Sequence, residues 1–404
     1  MRHHGSLLFA LVVVFLATCA SWAQAPKQFT ILVPDTSVVR TEDRGLRAHT
    51  NHLIRLDAKP AFVGTSPAGE TPATIRPVYN LTAGGGSQTI AIVDAFDYPT
   101  AASDLNTFSS TLGLPAMPDC GSNGNVAPCF RKVFAAGRKP RTNCGWAQEA
   151  ALDIEWAHAM APNARIVLVE AASNSFANLF AAVDVATAQV TTGAGRGEVS
   201  MSWSGSEFST EASNDGHFQN AGVVYFASSG DTGGVNGYPS VSPFVVSAGG
   251  TTINRNPPNN PNGTFVSETA WSGSGGGPSA FEPKPTYQSG VAGTSATQRS
   301  APDFSFDANP NTGVSVFDST NCQGFSGWLV FGGTSVSSPS LAGIVNHAGG
   351  FAASSTDELT TIYANRANTA DFRDIISGSA GSFSAGVGYD FVTGVGSDQG
   401  LAGK

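Results

Sequence analysis

The chain has 404 residues, of which 41% are hydrophobic and only 13% are charged. This hydrophobic content supports a real core, in one large α/β domain or two smaller ones, and it excludes a disordered protein. The formal net charge of −9 gives no electrostatic support for nucleic-acid binding. A surface with so few ionisable groups also changes little at low pH.

Residues 1–25 have the pattern of an export signal. A basic start at Arg2 precedes an apolar run from Leu7 to Ala17, and Ala23-Gln24-Ala25 supplies a small-x-small cleavage site. The apolar run is too short to span a bilayer, and no later stretch is long enough. We therefore expect a secreted, extracellular protein that is monomeric and has no membrane partner.

Residues 26–72 combine a possible strand, Phe29–Val33, with charged and proline-rich stretches. We expect them to form a short leader, or propeptide-like segment. The remaining residues, 73–404, would then form one domain.

Four cysteines remain once Cys19 leaves with the signal: Cys120, Cys129, Cys144 and Cys322. An even number in an exported chain suggests two disulfides, for which three connectivities are possible. One of them closes the short loop between Cys120 and Cys129 and leaves Cys144 to pair with Cys322. A zinc site is the rival interpretation, although no paired Cys-x-x-Cys units are present.

From Gln88 onward, β-branched runs alternate with helical segments. Such runs are typical of parallel strands buried on both faces. The alternation predicts an α/β fold with a doubly wound, mostly parallel sheet and helices on both faces. The predicted strands are Thr89–Asp94, Ala164–Glu170, Glu198–Trp203, Val223–Ser228 and Phe244–Ser247, and the predicted helices include Ala102–Leu112 and Phe176–Val190. Functional residues of such sheets gather at the carboxyl ends of strands, which is where Asp94, Asp231 and Ser335 fall.

The segment Cys144–Met160 predicts a helix that stops before Pro162. At about 100° per residue, Glu149 and Asp153 share a face with apolar residues, and His158 lies nearly opposite. Two carboxylates four residues apart repel each other on a surface helix. On a half-buried face they would share a proton and the pKa of one would rise, which makes a glutamate a usable base. We expect His158 to be solvated or locally hydrogen-bonded.

An apolar strand that ends at Phe331 leads into Gly332-Gly333-Thr334-Ser335 and a small-residue helix. The glycines allow a sharp turn that sets Ser335 at the helix N-terminus. Free N–H groups and the helix dipole there favour the negative charge that acyl transfer develops. Pro339 is expected within the first turn, where its missing N–H costs nothing. An ordinary glycine-rich turn with a capping serine is the alternative.

These motifs together resemble the sedolisin, or serine-carboxyl, peptidase family. Gly-Thr-Ser with Pro339 is similar to the nucleophile motif that this family shares with subtilisins, and the helix of Glu149 and Asp153 resembles the family helix in which glutamate replaces the subtilisin histidine. None of the seven histidines has the Gly-His-Gly-Thr context of a subtilisin. Ser-Gly-Asp231-Thr-Gly resembles the segment whose aspartate lies in the oxyanion hole, and such an aspartate donates a hydrogen bond only while it is protonated.

The resemblance covers about residues 73–404 and implies a subtilisin-like fold with a triad of Ser335, Glu149 and Asp153. Asp94 ends its strand much as the subtilisin aspartate does. Its role stays open between a supporting group, a structural cap and a triad member. Sedolisins usually carry a much longer propeptide than residues 26–72 could form.

The resemblance also implies one structural calcium ion near the C-terminus. Its expected ligands are the carboxylates of Asp374 and Asp390 and the backbone oxygens of Ile375, Gly386 and Gly388. Hard oxygen ligands with glycines at the turns suit calcium. A simple glycine-rich turn is the alternative.

The implied function is a secreted serine-type endopeptidase that hydrolyses protein or peptide substrates at acid pH. Three other classes remain as alternatives: a catalytically idle, calcium-stabilised binding protein, an ordinary subtilisin-type protease, and a glycoside hydrolase that uses Glu149 and Asp153. The last leaves the Gly-Thr-Ser motif unexplained.

Overall fold

The protein is described here from a computed structural model, which covers residue 1, residues 29–56 and residues 63–404. Apart from Met1, the export signal predicted for residues 1–25 lies outside the described residues. No helix in the described ranges is long and apolar enough to cross a membrane.

A mostly parallel ten-stranded sheet forms the centre of the fold, which confirms the predicted α/β class with a doubly wound sheet. Along its strand Thr89–Ala95, Ile90 and Ile92 enter one hydrophobic cluster while Ala91 and Val93 enter the other. Both faces are therefore buried, as the β-branched pattern predicts. From edge to edge the strands are Phe372–Arg373, Ser397–Asp398, Phe304–Asp307, Val246–Asn256, Val223–Ser228, Gly197–Met201, Thr89–Ala95, Arg165–Ala171 and Cys129–Phe134, and Thr264–Ala270 pairs with Val246–Asn256.

Helices cover both faces of this sheet. Cys144–Met160 and Thr334–Ala348 contribute to the cluster on one face, and Phe176–Thr191 contributes to the cluster on the other. Gly343 lets the first two helices approach closely, because a Cβ there would collide with the side chain of Met160. The described α-helices are Pro72–Ile75, Ala101–Leu112, Cys144–Met160, Phe176–Thr191, Thr334–Ala348 and Ser355–Asn365.

The N-terminal segment joins two smaller sheets beside the central one. Leu53–Leu56 pairs antiparallel with Phe325–Gly332, the strand that precedes Ser335. His49–Thr50 pairs antiparallel with Trp203–Ser206. The remaining strands of these sheets are Thr30–Leu32, Val63–Gly64, Val314–Cys322 and Gly237–Tyr238, and two hairpins join Gly277–Pro283 to Gln298–Ala301 and Ser379–Ala380 to Phe383–Ser384.

Short 3-10 turns connect several of these elements. They are Asp35–Ser37, Thr41–Asp43, Arg76–Tyr79, Thr192–Ala194, Glu211–Phe218 and Thr286–Gln288.

Two predicted strands differ from the structure. The strand expected at Phe244–Ser247 is Val246–Asn256, which extends into an antiparallel pairing with Thr264–Ala270. The strand expected at Glu198–Trp203 is interrupted at Ser202, because the chain leaves the central sheet there to pair with His49–Thr50.

The helix Cys144–Met160 has the predicted bounds, and Asn143 caps it by accepting hydrogen bonds from the first-turn N–H groups. The expectation of a half-buried face is wrong, because neighbouring elements enclose the helix on all sides. Glu155, which lies on the same side of the helix as His158, accepts a hydrogen bond from Phe317 N at 3.0 Å. His158 is not solvated. Its Nε2 lies 3.0 Å from the carbonyl oxygen of Pro115, and burial lowers its pKa to about 4.

Two disulfides are present, Cys120–Cys129 and Cys144–Cys322. This is one of the three connectivities that the sequence allows, and it leaves none of the four cysteines free for zinc. The second bond ties the start of the helix Cys144–Met160 to the strand Val314–Cys322, which is the antiparallel neighbour of the strand before Ser335.

Candidate active site

Ser335 is the second residue of the helix Thr334–Ala348, directly after a turn at Gly333 that has φ 95°. Glycine suits this turn because other residues rarely adopt a positive φ. The Ser335 N–H donates to the carbonyl oxygen of Asn51 at 3.0 Å. Its hydroxyl donates to the carbonyl oxygen of Ser202 at 3.2 Å. The predicted serine therefore has a peptide carbonyl beside its N–H.

Pro339 does not lie in the first turn as predicted, because the helix begins at Thr334 and the proline is its sixth residue. An amide at that position would donate to the carbonyl oxygen of Ser335, four residues earlier. Proline has no N–H, and the hydroxyl of Ser202 donates to this oxygen at 3.3 Å instead. Pro339 thus frees a carbonyl that helps to link the serine-bearing helix to Ser202.

Asp231 lies in the loop after the strand Val223–Ser228 and is hydrogen-bonded to the N-terminus of the helix Thr334–Ala348. Its Oδ1 accepts hydrogen bonds from the backbone N–H of Thr334 at 2.7 Å and from the Thr334 hydroxyl at 2.9 Å. Its Oδ2 is buried and has no hydrogen-bond partner among the described residues. A Cβ on Gly333 would collide with both Asp231 Oδ2 and the Asn51 carbonyl oxygen, so these two oxygens border the same small space.

Burial raises the pKa of Asp231 to about 8, and the charge of Glu149 adds to this rise. The two hydrogen bonds from Thr334 act in the opposite direction and do not cancel it. The carboxyl group is therefore protonated throughout the acid range. With Oδ1 already accepting two bonds, Oδ2 is the oxygen free to carry the proton and to donate it.

Glu149, Asp153 and Asp94 form a buried group of carboxyls whose charges act on one another. All three side chains are essentially inaccessible to solvent. Burial, followed by the charges of Asp94 and Glu149, raises the pKa of Asp153 well above its ordinary value. Burial also raises the pKa of Asp94, to which Glu149 and Glu170 contribute. Asp94 and Asp153 therefore keep their protons at pH values where an exposed aspartate has lost its proton.

Glu149 contacts the N-terminal segment in this structure. Its Oε2 accepts a hydrogen bond from the Asn51 N–H at 3.2 Å and lies 2.9 Å from His52 Nδ1. The Ser335 hydroxyl is bonded to Ser202 instead of Glu149. Ser335, Asp231 and Glu149 are thus brought together around Asn51 and His52, and Asp153 lies one helical turn from Glu149.

Sequence reasoning did not identify Asn51 or His52 as part of this site, and it assigned no chemistry to Ser202. Asn51 and His52 belong to the predicted leader and match no motif, so the sequence carries no signal for them. Ser202 lies inside the predicted strand Glu198–Trp203. Only the structure shows that this strand is interrupted at Ser202, because the residues before and after it belong to different sheets.

The expected calcium ligands lie on one glycine-rich loop near the C-terminus. Asp374 Oδ2 accepts a hydrogen bond from Gly388 N at 3.0 Å, and Asp390 Oδ2 accepts one from Gly386 N at 3.2 Å. Asp374 Oδ1 is buried and has no partner within the described chain. No cluster of three or more acidic, histidine or cysteine side chains suited to a metal occurs in the described ranges. A calcium ion here would therefore take its further ligands from backbone oxygens, Ile375 among them.

Comparison with known proteins gives sequence relatives in one group of peptidases. No family model matches the chain. Sedolisin from Pseudomonas sp. strain 101 is 27% identical over 406 residues, which cover 87% of this chain and 63% of sedolisin. Kumamolisin from Bacillus sp. strain MN-32 is 28% identical, covering 88% of this chain and 67% of the relative. Xanthomonalisin from Xanthomonas sp. strain T-22 is 25% identical, covering 86% of this chain and 48% of the relative. The chain thus spans about half to two thirds of the length of these relatives.

Solved structures share the fold. Pseudomonas sedolisin, a serine-carboxyl proteinase complexed with two molecules of pseudo-iodotyrostatin, matches with a TM-score of 0.68 and 22% identity, over 83% of this chain and 96% of that one. The psychrophilic protease S41 matches with a TM-score of 0.52 and 20% identity, over 83% of this chain and 99% of that one. The chain is therefore similar over most of its length to peptidases of the sedolisin group, and its fold is subtilisin-like, as in the solved sedolisin structure.

Proposed function

We propose that the protein is a serine-carboxyl endopeptidase that hydrolyses protein or peptide substrates at acid pH. One observation carries the proposal. The backbone N–H of Ser335 donates to a peptide carbonyl oxygen, that of Asn51, in a space that the buried oxygen Asp231 Oδ2 also borders. A carbonyl held between a serine N–H and a protonated carboxyl is positioned for attack by that serine.

In this mechanism the Ser335 hydroxyl attacks the carbonyl carbon, and Glu149 takes the hydroxyl proton. The hydroxyl must first leave the Ser202 carbonyl oxygen, to which it is bonded in the structure. Glu149 then gives the proton to the departing amine, and water releases the acyl group from the serine by the same steps in reverse. Asp153, one helical turn from Glu149, orients it and shares its proton.

Asp231 supplies the acid requirement. Negative charge develops on the carbonyl oxygen during attack, and a protonated carboxyl stabilises it by donating a hydrogen bond. An ionised carboxylate in the same place would repel that charge. The pKa of about 8 for Asp231 keeps the donor protonated below neutral pH.

We also propose one structural calcium ion, held by Asp374 and Asp390 with backbone oxygens of Ile375, Gly386 and Gly388. The unpartnered oxygen Asp374 Oδ1 supports this assignment. Secretion is part of the proposal as well, since two disulfides suit an oxidising compartment. We propose a monomer with no nucleic-acid or membrane partner.

The test is a pH–rate profile on acid-denatured protein for the wild type and for Ser335→Ala and Glu149→Gln. Activity confined to acid and abolished in Ser335→Ala would support the class. Glu149→Gln should lose about a hundred- to ten-thousandfold in turnover, because glutamine cannot accept the proton. Glu155→Gln is the matched control, because Glu155 is a buried carboxyl on the same helix that accepts a hydrogen bond from Phe317 N, and this variant should keep its turnover. Normal turnover in Glu149→Gln would rule out Glu149 as the base, and no hydrolysis at any pH would support an idle binding protein.

A further inference from the structure

The segment from His49 to Ile54 crosses the candidate active site as an extended peptide. Before the site it pairs antiparallel with one strand, with His49 opposite Ser204. After the site it pairs antiparallel with another, with Leu53 opposite Gly332 and Ile54 opposite Phe331. The chain is thus hydrogen-bonded on both sides of Ser335, which is how a peptide is held when one of its bonds is cleaved.

The backbone of Asn51 fixes the register of this peptide. Its N–H donates to the Ser202 carbonyl oxygen at 3.2 Å, and its carbonyl oxygen accepts from the Ser335 N–H at 3.0 Å. The Asn51 carbonyl carbon is therefore the one presented to the serine. In the peptide bond that lies at Ser335, Asn51 is the residue on the acyl side and His52 is the residue on the amine side.

The side chain of Asn51 fills a closed polar pocket. Its Nδ2 donates to Ser204 Oγ at 2.9 Å and to Ser228 Oγ at 2.7 Å. Its Oδ1 accepts from Ser204 Oγ at 3.3 Å. Asn51 is 1% exposed, Ser204 is 2% exposed and Ser228 is fully buried. Both amide hydrogens and the amide oxygen therefore have partners that solvent cannot replace.

We infer that this pocket receives the substrate residue on the acyl side of the cleaved bond and that Ser204 and Ser228 select asparagine there. The inference rests on the proposed peptidase function and adds its substrate class: peptides with an asparagine before the cleaved bond.

The preference for asparagine follows from the hydrogen bonds that Ser204 and Ser228 would lose with another side chain in the pocket. Leucine is close in size to asparagine but offers no hydrogen bond, so two buried hydroxyls would lose their partner. A site built to hydrogen-bond a substrate group rejects an analogue that lacks the group much more strongly than an apolar pocket rejects a small change of size. Glutamine carries the same amide on a side chain one methylene longer, so from the same backbone position its amide would not meet both serines at the distances that asparagine has.

The experiment uses peptides with the sequence of residues 46–56 in which position 51 is Asn, Gln or Leu. They are incubated at acid pH with the full-length protein and with full-length Asn51→Ala, whose own side chain no longer fills the pocket. We expect kcat/KM for the Asn peptide to exceed that for the Leu peptide by about tenfold or more, with cleavage directly after Asn.

Variants of the pocket supply the matched comparison. In Ser228→Ala, and separately in Ser204→Ala, the ratio of kcat/KM for the Asn and Leu peptides should fall several-fold. Ser229→Ala is the control, because its buried hydroxyl has no partner among the described residues and its loss should leave that ratio unchanged. Melting temperatures show whether each variant is folded.

The outcomes separate the two proposals. Equal rates for the Asn and Leu peptides, or an unchanged ratio in both pocket variants, would overturn the inference. The proposed peptidase function would still stand in that case if the protein hydrolysed denatured protein. If neither the peptides nor denatured protein were hydrolysed at any pH, the proposed function would fail and this inference with it.

Discussion

His52 Nδ1 lies 2.9 Å from Glu149 Oε2, and both side chains are fully buried. The His52 ring also stacks on Phe331, with ring centroids 5.4 Å apart. The candidate base therefore bonds to the N-terminal segment of its own chain, while the Ser335 hydroxyl donates elsewhere. In this arrangement the segment competes with any substrate for both the cleft and the base.

The first prediction concerns this competition. His52→Ala removes a hydrogen bond to a carboxylate and an aromatic contact, so the segment should leave the cleft more readily. We expect the initial rate on a peptide substrate at acid pH to rise about tenfold, which corresponds to the loss of one hydrogen bond to a charged group. Initial rates over the first minutes measure the effect.

The control is His217→Ala, since His217 pairs with Asp184 on the surface and belongs to another part of the fold. It should leave the initial rate unchanged. An initial rate in His52→Ala equal to or below that of the wild type would mean that the segment does not compete with substrate.

The second prediction is that the folded protein is more stable in acid than at alkaline pH. Burial raises the pKa of Glu211 to about 9, with further contributions from Glu207 and Glu282. Burial raises the pKa of Glu282 to about 8, to which Asp215 and Glu207 add. Burial also raises the pKa of Glu170 to about 8. Glutamate in the unfolded chain has a pKa of about 4.3. Above that pH these carboxyls therefore still hold protons in the folded state that the unfolded chain has lost.

The stability that each group contributes is fully present below the unfolded pKa and is lost as pH rises through the folded pKa. The melting temperature should therefore fall between pH 4.5 and pH 9, and calorimetry across that series measures it. Glu211→Gln should flatten the fall, since glutamine stays neutral and still accepts the hydrogen bond from Phe208 N. Glu42→Gln, at an exposed position, is the control. A melting temperature that rises toward pH 9 would contradict the assignment.

The third prediction tests the calcium site through stability. An ion bound only by the folded state stabilises it by mass action, so a chelator should lower the melting temperature and added calcium should restore it. Asp374→Asn should abolish this response, because it removes one of two carboxylates while keeping the shape. Asp371→Asn, three residues earlier, is the matched control and should respond as the wild type does. The same melting temperature with chelator and with calcium in the wild type would exclude the site.

The sequence predicts much of the scaffold because its signals are local. The β-branched run Thr89–Asp94 and the bounds of Cys144–Met160 follow from periodicity, and the structure contains both. Burial of the helix on every side was not predictable, because its outer face contains Glu155 and His158. Their partners, Phe317 N and Pro115 O, come from distant parts of the chain.

The candidate site likewise contains residues that local motifs predict and residues that only long-range contacts place. Ser335 and Asp231 stand in recognisable motifs, whereas the partners of the base come from long-range contacts. Asn51 and His52 lie 98 and 97 residues before Glu149 in the chain. Nothing in their own neighbourhood distinguishes them from other leader residues, and only antiparallel pairing with two separate strands places them at the serine.

The link between Asp231 and the helix N-terminus leads to the last prediction. Thr334 fixes Asp231 Oδ1 with two hydrogen bonds, and Oδ2 is left as the donor. Since the pKa of Asp231 is about 8, the donor should be lost as pH rises through that value. The decline of activity on the alkaline side should therefore follow the loss of the Asp231 proton.

Asp231→Asn and Asp231→Ala separate this role from a structural one. Asparagine keeps an N–H donor at every pH and an oxygen for the two Thr334 bonds, so Asp231→Asn should retain part of its activity and lose its alkaline decline. Alanine supplies neither, and the loss of one oxyanion donor typically lowers turnover about a hundred- to a thousandfold. Profiles of kcat against pH for the two variants, with melting temperatures to verify folding, provide the measurement. If both variants were equally inactive at every pH while remaining folded, Asp231 would not act as a hydrogen-bond donor, and the acid requirement would have to arise from the Glu149, Asp153 and Asp94 group instead.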